Sequence, residues 1–381
     1  MGFTPELLQR DQLNPLIQSL LGQDASVSSI ESVGQGFHAT GFEVRVEGTT
    51  RSDRVFARLI SPLEFGHDLP SARIEAMLEA SHSMPHALPT HAVVGIAQDG
   101  SLIDLTHIHE VVAIAQFLPP GAINFCEVLR THTDSDEDAH HLAQTTQESA
   151  LLMAQAMVDI HASQPFTGTT QEAQSLYKRS LRAVVHNDEL AAGVADLIDF
   201  DSATWVSHED VVGLLADMER VRYEMGVHPE RLRRIHGDFW ANNIYFHTDS
   251  HGRAVPIVTD GRLVWGEPAI DAGWMVGEFA MQDLVRFGRF GLGFTGVAAN
   301  ALLHYVEKTG DTDLFNSMAL PYSFQAFAEA FFTPDLTDEA RRKLFATAWG
   351  ALKSRLNGEP FDLAALNAYT EAGLTKLAPH S

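Results

Sequence analysis

Near the start of the chain, Leu7, Leu8, Leu13, Leu16, Ile17, Leu20 and Leu21 recur at helical spacing. They predict a short amphipathic helix over 5–21, stopped at Gly22 and broken or kinked at Pro15. From about residue 27 to 118 the pattern changes to short β-prone runs, at 27–33, 42–46, 55–60, 92–97, 101–105 and 111–117. Turn-rich pieces such as Glu47-Gly48-Thr49-Thr50 and Gln98-Asp99-Gly100 separate them. One helical segment interrupts the series at 70–82, with Ile74, Met77 and Leu78 on one face. Strands with one inserted helix predict a small α+β lobe on an antiparallel sheet. Phe117-Leu118-Pro119-Pro120-Gly121 reads as a connection, which divides the chain into a lobe over 1–118 and a larger one over 119–381.

The larger lobe reads as mainly helical. Residues 131–148 are polar and acidic and predict a mobile surface loop. Helical periodicity follows at about 149–163, 171–186, 189–198, 208–226, 271–288, 294–308, 312–331, 337–356 and 361–376. Only 233–265 departs from it, with two short β-like runs. No internal repeat is visible.

Composition narrows the class. A chain of 381 residues, 45% hydrophobic, can bury a large core, more readily as two lobes than one. No long apolar run predicts a membrane span, and the first residues lack the basic and apolar regions of a signal peptide, so a cytoplasmic location is expected. The single cysteine, Cys126, excludes an internal disulfide framework and a multi-cysteine zinc site, and reads as a small packed residue. A net charge of -24 argues against nucleic acid as a partner. It suits a cationic substrate, although solubility is the plainer explanation. Lysine occurs only at Lys178, Lys308, Lys343, Lys353 and Lys376, so the predicted small lobe has none.

The interrupted region carries the chemistry. Ile235-His236-Gly237-Asp238-Phe239-Trp240-Ala241-Asn242-Asn243-Ile244-Tyr245-Phe246 contains H-G-D-x-x-x-x-N followed by apolar residues. That spacing suits magnesium-assisted phosphoryl transfer, with a carboxylate that takes the acceptor's proton and an amide that holds a metal beside phosphates. Asp238 is the candidate base, and Asn243 is a candidate metal ligand, preferred to Asn242 by the count. Asp260, ending the run Val255-Pro256-Ile257-Val258-Thr259, is the second metal ligand. His236 reads as a packed structural residue that ties the turn to neighbouring backbone.

Upstream, Gly34 and Gly36 lie in a glycine cluster between two predicted strands, where backbone N–H groups could fold over phosphates or simply make a turn. Arg58 lies on a predicted strand that could present a cation to phosphates, or could point to solvent. Glu75 and Glu79 of segment 70–82 could pair with it. His107 and His109 share a predicted strand face, but with no third ligand they read as surface residues. Arg231, Arg233 and Arg234 could attract phosphate, or could satisfy the carbonyls at a helix end.

Together these motifs resemble the aminoglycoside phosphotransferase family, small-molecule kinases with a protein-kinase-like bilobal fold that includes choline and homoserine kinase relatives. The resemblance rests on His236-Gly237-Asp238, Asn243-Ile244-Tyr245-Phe246, Asp260 and Gly266-Glu267-Pro268-Ala269-Ile270-Asp271. Met157-Val158-Asp159-Ile160-His161-Ala162 is similar to the helix end that precedes the motif in that family. The resemblance implies ATP (or GTP) between the lobes, with backbone contacts at Gln116, Phe117 and Leu118. It implies Mg²⁺ on Asn243 and Asp260, Arg58 with Glu75 as phosphate anchor, and transfer of the γ-phosphoryl group to a hydroxyl of a small molecule. Asp271 would brace the catalytic loop. Arg58 stands where the family carries lysine, and Arg262, just after the metal aspartate, could complement it or could fill the nucleotide site. That exchange keeps two alternatives open: a nucleotide-binding regulator, and a kinase-fold enzyme performing another nucleotide-dependent transfer. The acceptor and the oligomeric state are not written in the sequence.

Overall fold

The computed structural model describes residues 9–35, 39–49, 53–60, 85, 90–96, 102–103, 110–130, 136–186, 190–261, 264–291, 293–334 and 336–377. The protein is α+β, with a small antiparallel sheet towards its N-terminus and a mostly helical remainder. The chain divides into two compact units, Met1–Gly121 and Ala122–Ser381.

In the first unit, helix α1 (Arg10–Leu21) lies on a sheet of β1 (Ser26–Gln35), β2 (Ala39–Glu47), β3 (Arg54–Ile60), β4 (Thr90–Ile96), β5 (Leu102–Ile103) and β6 (Glu110–Gln116). The strand order is β1-β2-β3-β6-β4-β5, and every neighbouring pair is antiparallel. Pro15 lies inside α1, which continues through it, so of the expected break or kink the break does not occur. A proline inside a helix costs about 3 kcal/mol. Burying the side chains of Leu13 and Ile17 against the sheet returns roughly 1.5–3 kcal/mol each, enough to offset that cost. The Asn14 side chain, accepting the Val27 N–H at 2.7 Å, also ties the helix to β1.

Side chains alternate across each strand. Phe42, Val44, Val46, Val55, Ala57 and Leu59 point to the core shared with Leu13, Ile17, Ala25 and Val27. The opposite face therefore receives the intervening residues. Across it, Gly34 pairs with Gly41, Gly41 with Arg58, and Arg58 with Ala113. The arginine thus lies in a row of residues with little or no side chain. The predicted segment 70–82 falls outside the described residues.

The second unit contains β7 (Ile123–Asn124), α2 (Phe125–Arg130), α3 (Asp136–Ala162), α4 (Thr170–His186), α5 (Ala191–Asp196) and α6 (His208–Glu224). Strands β8 (Arg233–Ile235), β9 (Ile244–Thr248), β10 (Ala254–Val258) and β11 (Val264–Gly266) follow. The chain closes with α7 (Ala269–Phe287), α8 (Phe294–Thr309), α9 (Leu314–Ser317), α10 (Ala319–Phe332), α11 (Asp338–Leu356) and α12 (Leu366–Leu374). The acidic stretch expected to be a loop is helical from residue 136 onward, as the opening of α3. Acidic residues are favoured at a helix N-terminus, where the dipole is positive. The short strands form two small sheets, β10-β9-β7 and β11-β8.

Helix α7 is buried almost throughout. Gly273 and Gly277 let α10 approach it closely: an added Cβ at Gly277 would come within 2.5 Å of Gln325. A tighter crossing joins α11 and α12. There a Cβ on Gly350 would sit 1.9 Å from the Tyr369 carbonyl oxygen, and one on Gly373 1.9 Å from that of Ala346. Backbone cannot yield as a side chain does, so Gly350→Ala is expected to lower stability by about 1–3 kcal/mol in urea denaturation. No helix among the described residues is long and apolar enough to cross a membrane.

Candidate active site

Strand β8 ends at Ile235, and the chain turns through His236, Gly237 and Asp238 before the 3₁₀ turn Ala241–Asn243 leads into β9. The turn needs glycine at 237, where φ is 80°. Asp271, in the first turn of α7 and wholly buried, holds this backbone. Its Oδ2 accepts the His236 N–H at 2.8 Å and its Oδ1 the Gly237 N–H at 2.9 Å. His161, at the end of α3, lies 2.9 Å from the same carboxylate through Nε2 and 2.8 Å from the Tyr305 hydroxyl through Nδ1. Burial, then the negative charges of Asp311 and Asp271, raise the pKa of Tyr305. The Nε2–H of His161 donates to Asp271, and its Nδ1 shares the second bond with the Tyr305 hydroxyl.

His236 is also fully buried, and its hydrogen bonds assign its tautomer. Nδ1 accepts the Asp238 N–H at 3.1 Å, so Nε2 carries the proton and donates to the Thr259 carbonyl at 3.0 Å. The ring thereby joins the loop to the strand that carries Asp260.

Asp238 is half-buried. Asn243 donates through Nδ2 to the Asp238 backbone oxygen at 2.9 Å and to its Oδ2 at 3.0 Å. With the amide nitrogen so engaged, Oδ1 is the atom of Asn243 suited to a cation. Ile244 pairs with Val258 across β9 and β10, and the Thr259 N–H donates to the Asn243 carbonyl at 2.9 Å. Asp260 follows directly, exposed, at φ 59°, and is the one non-glycine residue with positive φ among those described. Such a conformation is uncommon outside glycine. Asn243 and Asp260 offer oxygen donors, the ligand type magnesium prefers. Asn242, the rival by sequence, is exposed, and its carbonyl accepts from Asn124 Nδ2 at 2.7 Å.

Beneath the loop lies a polar cluster that sequence reasoning missed. Arg231, read as a phosphate attractor or helix-end residue, donates through Nε to Glu267 Oε2 at 2.9 Å and through Nη2 to Asp311 Oδ2 at 3.1 Å. Glu267 is fully buried and also accepts from the Tyr177 hydroxyl at 2.7 Å. Burial works against the charge of Arg231, but Glu267 and Asp311 outweigh it and hold its pKa above the ordinary value. Burial and the charge of Glu267 raise that of Tyr177. The signal in the sequence was Glu267 within an otherwise apolar run, but its partners are distant in the chain.

In the first unit, Arg58 is half-buried on β3, and Gly34 ends its row on β1. Gln116 is exposed and pairs with Val55, while Phe117 and Leu118 are half-buried where the chain leaves β6. The Arg54 guanidinium lies 4.4 Å from the centre of the Phe117 ring and steadies this exit. Gly36, Glu75, Glu79, Arg262, His107 and His109 lie outside the described residues. The structure thus brings Asp238, Asn243 and the Asp260 segment together in one unit, and sets Gly34 and Arg58 on one sheet face in the other.

No family model matches the chain, and no curated protein matches it by sequence. Solved structures that resemble it include an ethanolamine kinase from Plasmodium vivax, at 13% identity over 96% of this chain and 85% of that one, with a TM-score of 0.45. A choline kinase from Cryptosporidium parvum Iowa II has 11% identity over 96% of this chain and 92% of that one, with a TM-score of 0.44. A spectinomycin phosphotransferase in complex with ADP and spectinomycin has 12% identity over 96% of this chain and 99% of that one, with a TM-score of 0.43. These are small-molecule kinases and a phosphotransferase.

Proposed function

We propose that the protein is a small-molecule phosphotransferase that moves the γ-phosphoryl group of ATP or GTP to a hydroxyl, with Mg²⁺ as cofactor. The observation that carries this reading is the bonded pair of Asp238 and Asn243, on a loop fixed by Asp271, beside the strand end that bears Asp260. In this reading Asp238 orients the acceptor hydroxyl and takes its proton as the oxygen bonds to phosphorus. Asn243 and Asp260 would hold the ion, which, when bound, neutralises charge on the phosphate oxygens. Gly34 and Gly36 would leave backbone room for the phosphates. Arg58, paired with Glu75, would anchor them; its planar fork can span two oxygens where a lysine offers one point charge. Gln116, Phe117 and Leu118 would contact the nucleotide base through their backbone. The net charge of -24 is compatible with a cationic acceptor, although solubility explains it as well.

Thermal unfolding with ATP, GTP and ADP, each with Mg²⁺, tests the reading. A ligand at a hundred times its Kd should stabilise the protein by about 2.7 kcal/mol, which shifts the midpoint by several degrees. ADP or GDP release with a panel of hydroxyl-bearing amines and sugars then identifies the acceptor. A nucleotide shift without turnover for any acceptor favours a regulatory, nucleotide-binding role, the alternative that Arg58 raises. AMP as product points to a different transfer. The absence of both shift and turnover defeats the proposal.

A further inference from the structure

Resting on the phosphotransferase reading, we propose that Glu278 is a positioning residue that sets the Asn243 amide against Asp238, with Cys126 holding its carboxylate in place. Helix α7 presents two carboxylates to the catalytic loop, Asp271 and Glu278. They are two turns apart and so lie on one face. Asp271 holds the backbone just before Asp238. Glu278 holds it just after, its Oε2 accepting the Ala241 N–H at 2.6 Å.

That N–H opens the 3₁₀ turn Ala241–Asn243, whose N-cap residue, Trp240, makes no side-chain cap. The first N–H groups of a helical turn find no partner within it. Glu278, 1% exposed, supplies that partner from another helix. As a carboxylate, Glu278 makes this bond charge-assisted, roughly twice as strong as a neutral one. Its other oxygen, Oε1, accepts from the Cys126 thiol at 3.2 Å. The same short segment provides Asn124, whose side chain donates to the Asn242 carbonyl and accepts the Cys126 N–H at 2.9 Å. The N–H of 241, the carbonyl of 242 and the carbonyl of 243 are thus each held from outside the turn. The closing bond, Asn243 N–H to the Trp240 carbonyl at 3.0 Å, completes it. A turn held in this way directs the Asn243 side chain at Asp238 before any ion arrives.

The test uses the full chain and Mn²⁺ with ADP as the probe, read by electron paramagnetic resonance. Hydrogen exchange at the Ala241 amide and the side-chain amide shifts of Asn243 are read by NMR. Groups that orient a metal ligand typically change metal affinity by about 10–100-fold. Glu278→Ala should therefore weaken Mn²⁺ binding about tenfold and speed Ala241 exchange at least as much. Glu278→Gln keeps an oxygen but loses the charge, and should fall between that variant and the parent. Cys126→Ser, which preserves a donor, should stay near the parent. If Glu278→Ala does not fold, Glu278→Gln decides alone. Parent-like Ala241 exchange and parent-like Mn²⁺ affinity in a folded Glu278 variant overturn the proposal. If the parent itself binds no Mn²⁺ with either ADP or GDP, the phosphotransferase reading falls. The Ala241 exchange and Asn243 shifts of Glu278→Gln then still decide whether Glu278 sets that amide.

Discussion

Asp238→Ala is expected to lower turnover by about 10²–10⁴-fold, the usual contribution of a positioned general base. Nucleotide affinity should stay within a few-fold of the parent, because the proposed phosphate and base contacts lie on other residues. Asp238→Asn sharpens the experiment. Its amide oxygen can still accept from Asn243 Nδ2, which donates to Asp238 Oδ2 at 3.0 Å in the parent, but it cannot take a proton. The two variants should therefore lose turnover alike while Asp238→Asn keeps the loop geometry better. Release of nucleoside diphosphate measures the first effect, and the nucleotide-induced shift in thermal midpoint measures the second. Full turnover in Asp238→Ala would remove the mechanism, whatever the acceptor.

The largest effect on stability is expected at Arg231. Replacing it with methionine keeps much of the stem's volume but strands Glu267 and Asp311 without their shared cation. Glu267 is fully buried, so water cannot repay the loss. Breaking a buried pair from one side typically costs about 3–5 kcal/mol, far more than an exposed ion pair contributes. The contrast is available in the same chain: the Arg253–Asp249 pair has its arginine 73% exposed. Arg253→Met should change stability by less than about 1 kcal/mol. Urea denaturation of both variants checks the difference. Equal midpoints would mean that the Arg231 cluster is repacked or hydrated without penalty. Because Glu267 begins the segment that leads into α7, the Arg231 variant should also loosen the hold of Asp271 on the loop.

Local patterns were legible where one rule decides the outcome. The strands of the first unit, and α4, α6, α8 and α11, lie close to where periodicity put them, and α4, α6 and α8 each bury one face. Reading failed where a local rule competes with packing. Pro15 is a helix breaker by its own chemistry, yet the burial of Leu13 and Ile17 carries the helix through it. Residues 136–148 look too polar to fold, but they open α3, whose later turns supply buried residues such as Met153, Met157 and Ile160. The predicted helix at 312–331 is two helices, α9 and α10, that meet at Met318.

The spacing of Asp238 and Asn243 is a property of the chain. Five residues, with glycine before the acid, carry the two side chains to within hydrogen-bond reach through a single turn. Sequence also sets the supply of cations in the first unit, where arginine and no lysine is available. The hold on that turn belongs to the tertiary structure. Asp271, Glu278 and Asn124 reach the loop from positions scattered along the chain, Cys126 reaches Glu278, and Asp260 takes a positive φ that no spacing rule announces. A motif read along the chain records which groups are near in sequence. Hydrogen bonds to buried backbone are made by whichever side chains the packing delivers, and those partners are chosen only once the helices and strands have met.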